Sequence, residues 1–363
     1  LANALVSWET TYVTNIGLDF SLFGSKLDGT IELFNKDTHD ILIDLPAPLL
    51  VGNASIPTQN AARVRNRGME MNLKWNHRIG KVNYFVGGNF TFIDNEVTRF
   101  KGEERSISGT NMIQEGYPIN IQYVLAVDRI LQTDEDMLFV EKMIKDAPVD
   151  PATGQRVNPF ASYGTPKKGD FLYKDLNGDG VINSLDERPI GYREDSTPIL
   201  NFGLNFSFGW KGFDLAFDFT GGAMGSWYQQ WEQRNPFHDG GNNPQYYMED
   251  TWRLSDIWDA DSELIPGKYP MLLIGNSSHS NYWNSTFWKK NVRYVKLRNL
   301  ELGYTLPKHI VEKALISDLR FYVAGTNLLT FTNAPGIDPE STEGNGLGYP
   351  TTRIINIGVN LKF

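Results

Sequence analysis

The chain has 363 residues and a formal net charge of −9, with 43 Asp and Glu against 34 Lys and Arg. This acidity argues against a nucleic-acid partner, because such binding depends on cations that neutralise phosphates. Cysteine is absent, which excludes disulfides and thiolate metal sites, and the mean hydropathy of −0.36, without any long apolar run, excludes a transmembrane helix.

In chain order, the first clear elements are three predicted β-hairpins. In each, apolar residues alternate with small or polar residues at the period of two that a strand requires. The turns at residues 24–26, 79–80 and 211–212 are short, which is typical of antiparallel hairpins. The paired segments are residues 14–23 with 27–35, residues 68–76 with 82–92, and residues 200–208 with 213–219.

Three further strands are predicted at residues 291–304, 319–331 and 351–363, and the second follows a segment, residues 306–316, with helical spacing. The apolar parity changes between Leu297 and Leu300, which predicts a β-bulge. In the last strand, Ile355, Ile357 and Val359 share a face over about the 9–11 residues that a tilted transmembrane strand needs.

The remaining connections are long, and all of them lie at the opposite ends of the strands: residues 45–66, 101–197, 221–288 and 333–349. Outer-membrane barrels have this asymmetry, with short periplasmic turns and long extracellular loops. We therefore predict an all-β fold, an antiparallel transmembrane β-barrel whose C-terminus is periplasmic. Residues 99–196 are predicted as one extracellular excursion with a helix beginning after Thr133, although residues 121–131 are an alternative barrel strand.

An oxygen-rich motif in this excursion, residues 175–186, matches the calcium loop of an EF-hand. Gly180 supplies the sharp bend, and Asp at the twelfth position replaces the longer Glu, so that bidentate ligation is weaker. The prediction is a structural calcium ion, and the alternative is an Asn-Gly-Asp-Gly turn with solvated carboxylates. The candidate ligands are the side chains of Asp175, Asn177, Asp179, Asn183 and Asp186 and the carbonyl of Val181.

Residues 221–288 form an aromatic-rich segment, predicted as an extracellular loop, that contains six of the nine tryptophans. Flat aromatic faces suit stacking on sugar rings or contact with a partner protein. Alternatively, the rings pack the loop on itself or belong to the interfacial aromatic girdle of a barrel. The candidate substrate-binding residues are Trp227, Tyr228, Trp231, Tyr246, Tyr247, Trp252 and Trp258.

No pattern of a catalytic site is apparent. The five histidines lack the H-E-x-x-H spacing, and no P-loop, nucleophile elbow or dinucleotide fingerprint occurs. Pairs of carboxylates are expected to be solvated surface in so acidic a chain. We therefore predict that the chain is not an enzyme.

Six linked motifs span nearly the whole chain: residues 8–11 with 15–19, residues 66–70, residues 169–170 leading to 174–180, residues 297–304, residues 323–328 and residues 336–340. Together, and in this order, they resemble the C-terminal barrel half of SusC-like TonB-dependent outer-membrane transporters. The terminal Phe363 also looks like the C-terminal aromatic residue of outer-membrane barrels.

The resemblance implies a 22-stranded barrel that is plugged by an N-terminal domain and energised through TonB. It implies a SusD-like surface lipoprotein as a lid, outer-membrane lipid as the surroundings, and import of oligosaccharides or peptides. About ten strands are predicted here, under half of such a barrel, and neither a plug nor a TonB-binding segment is visible. We expect that machinery upstream or in another chain, so the choice between a fragment and one piece of a split barrel stays open.

Other readings are a soluble calcium-stabilised carbohydrate-binding β protein, a passive outer-membrane channel and a glycosidase. The purity of the apolar faces separates a barrel from a soluble protein, because one Lys or Arg at mid-bilayer costs about 2–4 kcal/mol. The apolar faces of the three hairpins carry no charge across their central residues. The tryptophan cluster favours glycan over peptide as the cargo.

Overall fold

The computed structural model describes residues 5–44, 57–101, 106–108, 111–119, 121–192, 198–241, 243–256, 258–259, 261–273, 278–334, 338–341 and 344–363. Within them, no helix is both long and apolar enough to cross a membrane. The strands, in chain order, are β1 (Thr10–Leu22), β2 (Leu27–Ile43), β3 (Gln59–Ile79), β4 (Val82–Phe100), β5 (Ser106–Ser108), β6 (Asn111–Ile113), β7 (Ile121–Val124), β8 (Val127–Ile130), β9 (Phe171–Tyr173), β10 (Arg188–Pro189), β11 (Leu200–Trp210), β12 (Phe213–Tyr228), β13 (Arg253–Leu254), β14 (Leu264–Ile265), β15 (Lys289–Thr305), β16 (Asp318–Thr332) and β17 (Ile354–Lys362). The helices are α1 (Asp134–Asp146), α2 (Gln245–Glu249) and α3 (Lys308–Val311), with short 3₁₀ turns at Ser184–Asp186, Trp231–Gln233, His238–Gly240, Ser280–Tyr282 and Glu312–Ala314.

Nine long strands form one antiparallel sheet in the order β1-β2-β3-β4-β11-β12-β15-β16-β17. β4 pairs directly with β11, with Val86 opposite Phe206, so the described residues between these strands add none to this sheet. The three predicted hairpins are β1–β2, β3–β4 and β11–β12, each with a short turn. The predicted antiparallel β fold is confirmed, with nine strands in the large sheet where about ten were expected.

The strands β2 and β3 are longer than the sequence pattern predicts. β2 continues to Ile43 and β3 begins at Gln59, whereas the alternation of apolar residues is confined to residues 27–35 and 68–76. Beyond that stretch, the same face carries charged cross-strand pairs such as Arg67 with Asp94. Backbone pairing therefore continues where the apolar signal ends, and the predicted loop at residues 45–66 is shorter.

The strand β12 also continues past its predicted end at residue 220, as far as Tyr228. Gly221 and Gly222, which follow Thr220, give space to neighbouring rings. A Cβ atom added to Gly221 would lie 2.3 Å from the ring of Phe202. Trp227 and Tyr228 are therefore strand residues, and their prediction as loop residues was wrong.

Two local predictions agree with the structure. The register of β15 shifts between Leu297 and Asn299, which leaves Arg298 in the predicted bulge. The helix α1 begins after Thr133, whose hydroxyl accepts from the backbone N–H of Asp136 while the Asp136 carboxylate accepts from the backbone N–H of Thr133. This reciprocal capping box satisfies backbone donors at the start of the helix.

The apolar face of the large sheet is uncovered within the described residues. The exposed fraction of the residue is 69% at Ile16, 62% at Phe331 and 83% at Ile357. The main buried core lies instead among the long connections, where β7 pairs with β10 and β8 with β9 in small sheets of their own. Its members are Val124, Leu125, Leu131, Val140, Phe160, Phe171, Leu172, Tyr173, Ile182, Tyr228, Tyr247, Tyr282 and Trp288.

Candidate functional site

The two longest connections pack together into one body, which we call the loop assembly; it comprises the described parts of residues 121–192 and 229–288. Backbone hydrogen bonds join the two segments directly. The N–H of Leu125 donates to the carbonyl of Asn284 at 3.0 Å, and the N–H of Thr286 donates to the carbonyl of Leu125 at 2.9 Å. Because both segments contribute to the buried core, neither folds as an independent loop.

A buried polar cluster centred on Asn281 holds this assembly together. Its amide nitrogen donates to the carboxylate of Asp170 at 2.9 Å, and its amide oxygen accepts from the backbone N–H of Phe171 at 2.9 Å. The Asn281 carbonyl accepts from the indole N–H of Trp288 at 2.7 Å. Asn281 is fully buried and makes bonds through all three groups, as a buried amide requires. No pattern in the sequence pointed to this residue.

The tyrosine hydroxyls of the core remain neutral. Burial raises the pKa of Tyr282 to about 12, and its hydroxyl oxygen accepts from the backbone N–H of Leu273 at 2.9 Å. Burial likewise raises the pKa of Tyr246 and Tyr247. These side chains therefore contribute packing and neutral hydrogen bonds, with no tyrosinate at physiological pH.

The predicted substrate-binding aromatics fall into two groups. Trp227, Tyr228, Tyr247 and Trp252 are buried and Tyr246 is half-buried. Trp227 packs with Val292 and Tyr294 of β15, whereas Tyr228 and Tyr247 belong to the main buried core. The indole of Trp258 is 90% exposed and that of Trp231 is 51% exposed. Ligand contact stays a prediction for all seven residues, and Trp258 and Trp231 have the most exposed rings among them.

The calcium-type loop folds through bonds between its own side chains and its backbone. The Asp175 carboxylate accepts from the N–H of Gly178 at 2.6 Å and from the N–H of Gly180 at 2.8 Å. Asp179 accepts from the N–H of Val181 at 2.8 Å. Gly178 and Gly180 have φ angles of +79° and +81°, a conformation that favours glycine at both positions.

Asp186, at the twelfth position of this loop, is completely buried. Its carboxylate accepts from the N–H groups of Leu176 at 2.8 Å and Asn183 at 2.9 Å, so it ties the end of the loop to its start. The donor set is oxygen only, which suits calcium chemically. Among the described side chains, however, no three acidic or imidazole groups converge as a metal cluster, because the carboxylates face backbone N–H groups.

A second polar cluster lies on the polar face of the large sheet, at the rim with the long loops. Lys296 is 2% exposed, and its ammonium contacts the carboxylates of Asp338 and, at 2.9 Å, Glu340. The guanidinium of Arg298 also pairs with Glu340 and donates to the hydroxyl of Thr220 at 2.9 Å. Two cations and two carboxylates balance in this cluster, which we call the rim network.

The rim network fixes the chain that follows β16. Burial tends to raise the pKa of the Asp338 carboxyl, but hydrogen bonds from the Lys296 ammonium and the Thr351 hydroxyl outweigh burial and hold that pKa below its usual value. Asp338 is therefore ionised near neutral pH. Through its bonds to Lys296 and Thr351, it joins β15 to the residues that precede β17. Gly336 and Ile337, which belong to the same predicted motif, lie outside the described residues.

Comparison with known proteins finds sequences and a fold that are similar to those of this chain. Residues 2–124 match the family described as TonB dependent receptor-like, beta-barrel. Over the whole chain, the sequence is 26% identical to TonB-dependent receptor P39 of Formosa agariphila, of which it covers 36%. Over 99% of the chain it is 23% identical to TonB-dependent receptor SusC of Bacteroides thetaiotaomicron, of which it covers 32%.

The fold agrees with that match. The solved structure of the RagAB peptide transporter superposes with a TM-score of 0.66 at 23% identity, over 100% of this chain and 36% of that chain. The chain is therefore similar in sequence to TonB-dependent receptors over its whole length, and its fold is similar to that of the barrel in RagAB. It spans about a third of the length of the relatives it matches.

Two of the motifs that resemble SusC-like transporters have structural roles in this chain. Asn66 accepts at its side-chain oxygen from the amide of Asn95 at 2.7 Å, and Asn95 in turn accepts from the backbone N–H of Ile119 at 2.8 Å. Asn327 has a φ of +54° in the bulged part of β16, and its amide donates to the carbonyl of Thr352 at 3.2 Å. In these two motifs the asparagines fasten the strands to the rim loops.

Proposed function

We propose that this chain is the C-terminal part of the barrel wall of an outer-membrane transporter that imports oligosaccharides or peptides with energy delivered through TonB. The observation that carries the proposal is the large sheet with two chemically opposite faces, of which the apolar one is uncovered. A soluble sandwich buries such a face against a second sheet. An exposed band of Ile, Val, Leu and Phe side chains is suited to contact with the hydrocarbon core of a membrane.

The dimensions of the apolar face support a membrane span. On β3, the side chains of this face run from Ile79 to Met69 and are apolar except for His77, about the length that a tilted transmembrane strand requires. At one end, the indole of Trp75 donates to the hydroxyl of Tyr84, as in an interfacial aromatic girdle. At the other end, charged pairs take over from Arg67 onward.

We place the short turns in the periplasm and the long loops outside the cell. The loop assembly, with its own buried core, is an extracellular body of the kind that a SusD-like lipoprotein contacts as a lid. The TonB complex would act through the part of the receptor beyond this chain. RagAB, whose fold is similar, is a peptide transporter, and peptide transport is a property of RagAB.

We also propose that calcium is a structural ligand of residues 175–186. The oxygen donors and the positive-φ glycines support it. Because hydrogen bonds to Asp175 and Asp186 already close the loop, calcium would add order there, and no catalytic role follows. Calcium would bind through the side chains predicted from the sequence. The exposed Asp179 would first turn away from the backbone N–H of Val181, from which it now accepts a hydrogen bond.

The native complex provides the test. The receptor is purified from outer membranes through an affinity tag, and co-eluting proteins and small molecules are identified by mass spectrometry. We expect a surface lipoprotein and a bound oligosaccharide or peptide, and we expect uptake of that compound to stop in a strain without TonB. Uptake that persists without TonB would instead establish the passive channel, and a receptor that leaves the membrane without detergent would refute the barrel.

A further inference from the structure

On the polar face of the large sheet, next to the rim network, lies a half-open pocket of about 450 Å³. Its floor is formed by Thr330 and Thr332 of β16, which pair with Lys296 and Tyr294 of β15 and so face away from the apolar surface. Pockets of about 300–1,000 Å³ hold small ligands. The pocket therefore opens toward the barrel interior at its outer end and has the volume for a ligand fragment.

The walls of this pocket combine hydroxyl groups with flat apolar surfaces. The lining includes the hydroxyl-bearing residues Thr330, Ser341 and Thr351, of which Thr351 donates to Asp338, and the apolar Pro339 and Pro350. The ring of Tyr349 stands at the edge and is 90% exposed. A pyranose ring has the same mixture of properties, because its C–H face packs on an aromatic ring while its rim of hydroxyls makes hydrogen bonds.

The electrostatics beneath the pocket distinguish neutral from charged ligands. The four charged groups of the rim network cancel, and Asp338, the one that lines the pocket, is already paired with Lys296 and bonded to Thr351. Among the described residues that line the pocket Asp338 is the one charged group, so these residues offer a peptide terminus or an acidic sugar no free opposite charge to offset its loss of hydration. A neutral hydroxyl-rich ring carries no such cost.

The frame of the pocket is anchored on two sides. On one side the buried ammonium of Lys296 holds Asp338, and on the other the backbone N–H of Gln230 donates to the carbonyl of Gly344 at 2.8 Å. A Cβ atom added to Gly346 would lie 2.1 Å from the amide nitrogen of Gln233, so the two segments are in close contact. An anchored frame reduces the ordering cost that a ligand must overcome.

We propose that this pocket is a subsite for one or two residues of a neutral oligosaccharide, with Tyr349 as the stacking platform. The inference rests on the proposed transport function and narrows its cargo from oligosaccharide or peptide to neutral saccharide. It places the sugar contact between β16 and β17, in a pocket whose described lining residues include none of the tryptophans of residues 221–288.

The test uses the complete receptor in detergent. Ligands are sought on an array of neutral α-glucan, β-glucan, xylan, mannan and fructan oligosaccharides, with a tryptic digest of casein as the peptide set. The affinity of the receptor for the saccharide that binds most tightly is then measured by calorimetry. We expect Tyr349→Ala to weaken binding by about tenfold or more, as loss of a central aromatic anchor does. Tyr349→Phe should change it by less than about threefold, because the ring remains.

Leu347→Ala is the matched control, since Leu347 is exposed in the same segment but does not line the pocket. It should bind as the unaltered receptor does. Saccharide binding that is insensitive to Tyr349→Ala would overturn the subsite, as would binding of peptides alone or of no neutral saccharide. TonB-dependent uptake of the same compound separates the two ideas, because it can persist when the subsite assignment fails.

Discussion

The amide of Asn281 donates a hydrogen bond to the carboxylate of Asp170 across 111 residues of chain, and both side chains are buried. This contact fastens one long connection of the receptor to the other. Through Asn281, the strand β9 and the 3₁₀ turn Ser280–Tyr282 become parts of one core. The aromatic residues of this core are consequently held in fixed positions.

Replacing Asn281 with leucine should destabilise the loop assembly by about 2–4 kcal/mol, because a buried carboxylate and a buried backbone N–H lose their partner. The readout is hydrogen exchange at residues 169–173, compared between the variant and the unaltered receptor in detergent. Gln245→Leu is the control, since Gln245 is exposed and its bond to Glu249 lies at the surface. Exchange that is equal in both variants would contradict the central role of Asn281.

Gly169, next to Asp170, provides a separate prediction about packing. Its φ of +92° favours glycine, and a Cβ atom there would lie 2.6 Å from the indole of Trp252. Gly164→Ala is a matched control, because Gly164 has a φ of +79° but nothing within 4 Å of an added Cβ. We expect about 1 kcal/mol of destabilisation at Gly164 from the backbone alone, and about 2–3 kcal/mol at Gly169. Chemical denaturation followed by tryptophan fluorescence measures both, and equal losses would exclude the contribution from Trp252.

The strands that cross the apolar band could be predicted from the sequence, because each has a period of two and a different environment on each face. The short turns and the bulge at Arg298 followed from the same pattern. The lengths of β2, β3 and β12 were not predicted correctly. Charged pairs such as Arg67–Asp94 end the alternation of apolar residues without ending the backbone pairing, and Gly221 gives no apolar signal although the ring of Phe202 packs against it.

The site was less predictable, since its contacts join distant parts of the chain. Whether a tryptophan is a ligand platform or a core residue depends on what covers it, and composition carries no such information. Trp252 is buried and Trp258 exposed in the same segment. Lys296 illustrates another limit, because a single lysine in a strand gives no sign that Asp338 and Glu340 return to pair with it.

The rim network predicts a dependence on acid pH. The pKa of Asp338 is lower in the folded receptor than in the unfolded chain, so its ionised form stabilises the fold above about pH 4, and this contribution is lost as pH falls through the lower folded pKa. Hydrogen exchange of residues 344–353, corrected for the intrinsic effect of pH, should therefore rise only below about pH 4. In Lys296→Met, the carboxyl keeps its bonds from Thr351 and the Glu340 N–H but loses the ammonium, so its pKa and the onset of the rise should move to higher pH. A variant with an unchanged profile would show that Lys296 does not set the ionisation of Asp338.

Calcium binding predicts protection of residues 175–186 against proteolysis. At calcium concentrations 10 to 100 times the dissociation constant, the ion should add about 1.4 to 2.7 kcal/mol of stability to the bound loop. Asp179→Ala should abolish this gain while leaving the loop folded, because Asp179 is exposed. Asp186→Ala should expose the loop with or without calcium, since the buried carboxylate holds its backbone. If EGTA leaves cleavage of the unaltered receptor unchanged, the loop is a calcium-free turn.

Two neighbouring residues of β17 test which face of the sheet meets lipid. Ile357 lies on the apolar face and is 83% exposed, whereas Asn356 points to the opposite face. Ile357→Lys should destabilise the reconstituted receptor by about 2–4 kcal/mol, the cost of a lysine near the bilayer midplane. Asn356→Lys should have little effect, because that side chain faces a watery interior. Urea titration in lipid vesicles, read from the heat-sensitive migration of the folded barrel in gels, measures both. A penalty at Asn356 that matches the one at Ile357 would mean that both faces meet an apolar medium, and the conduit would have to lie elsewhere.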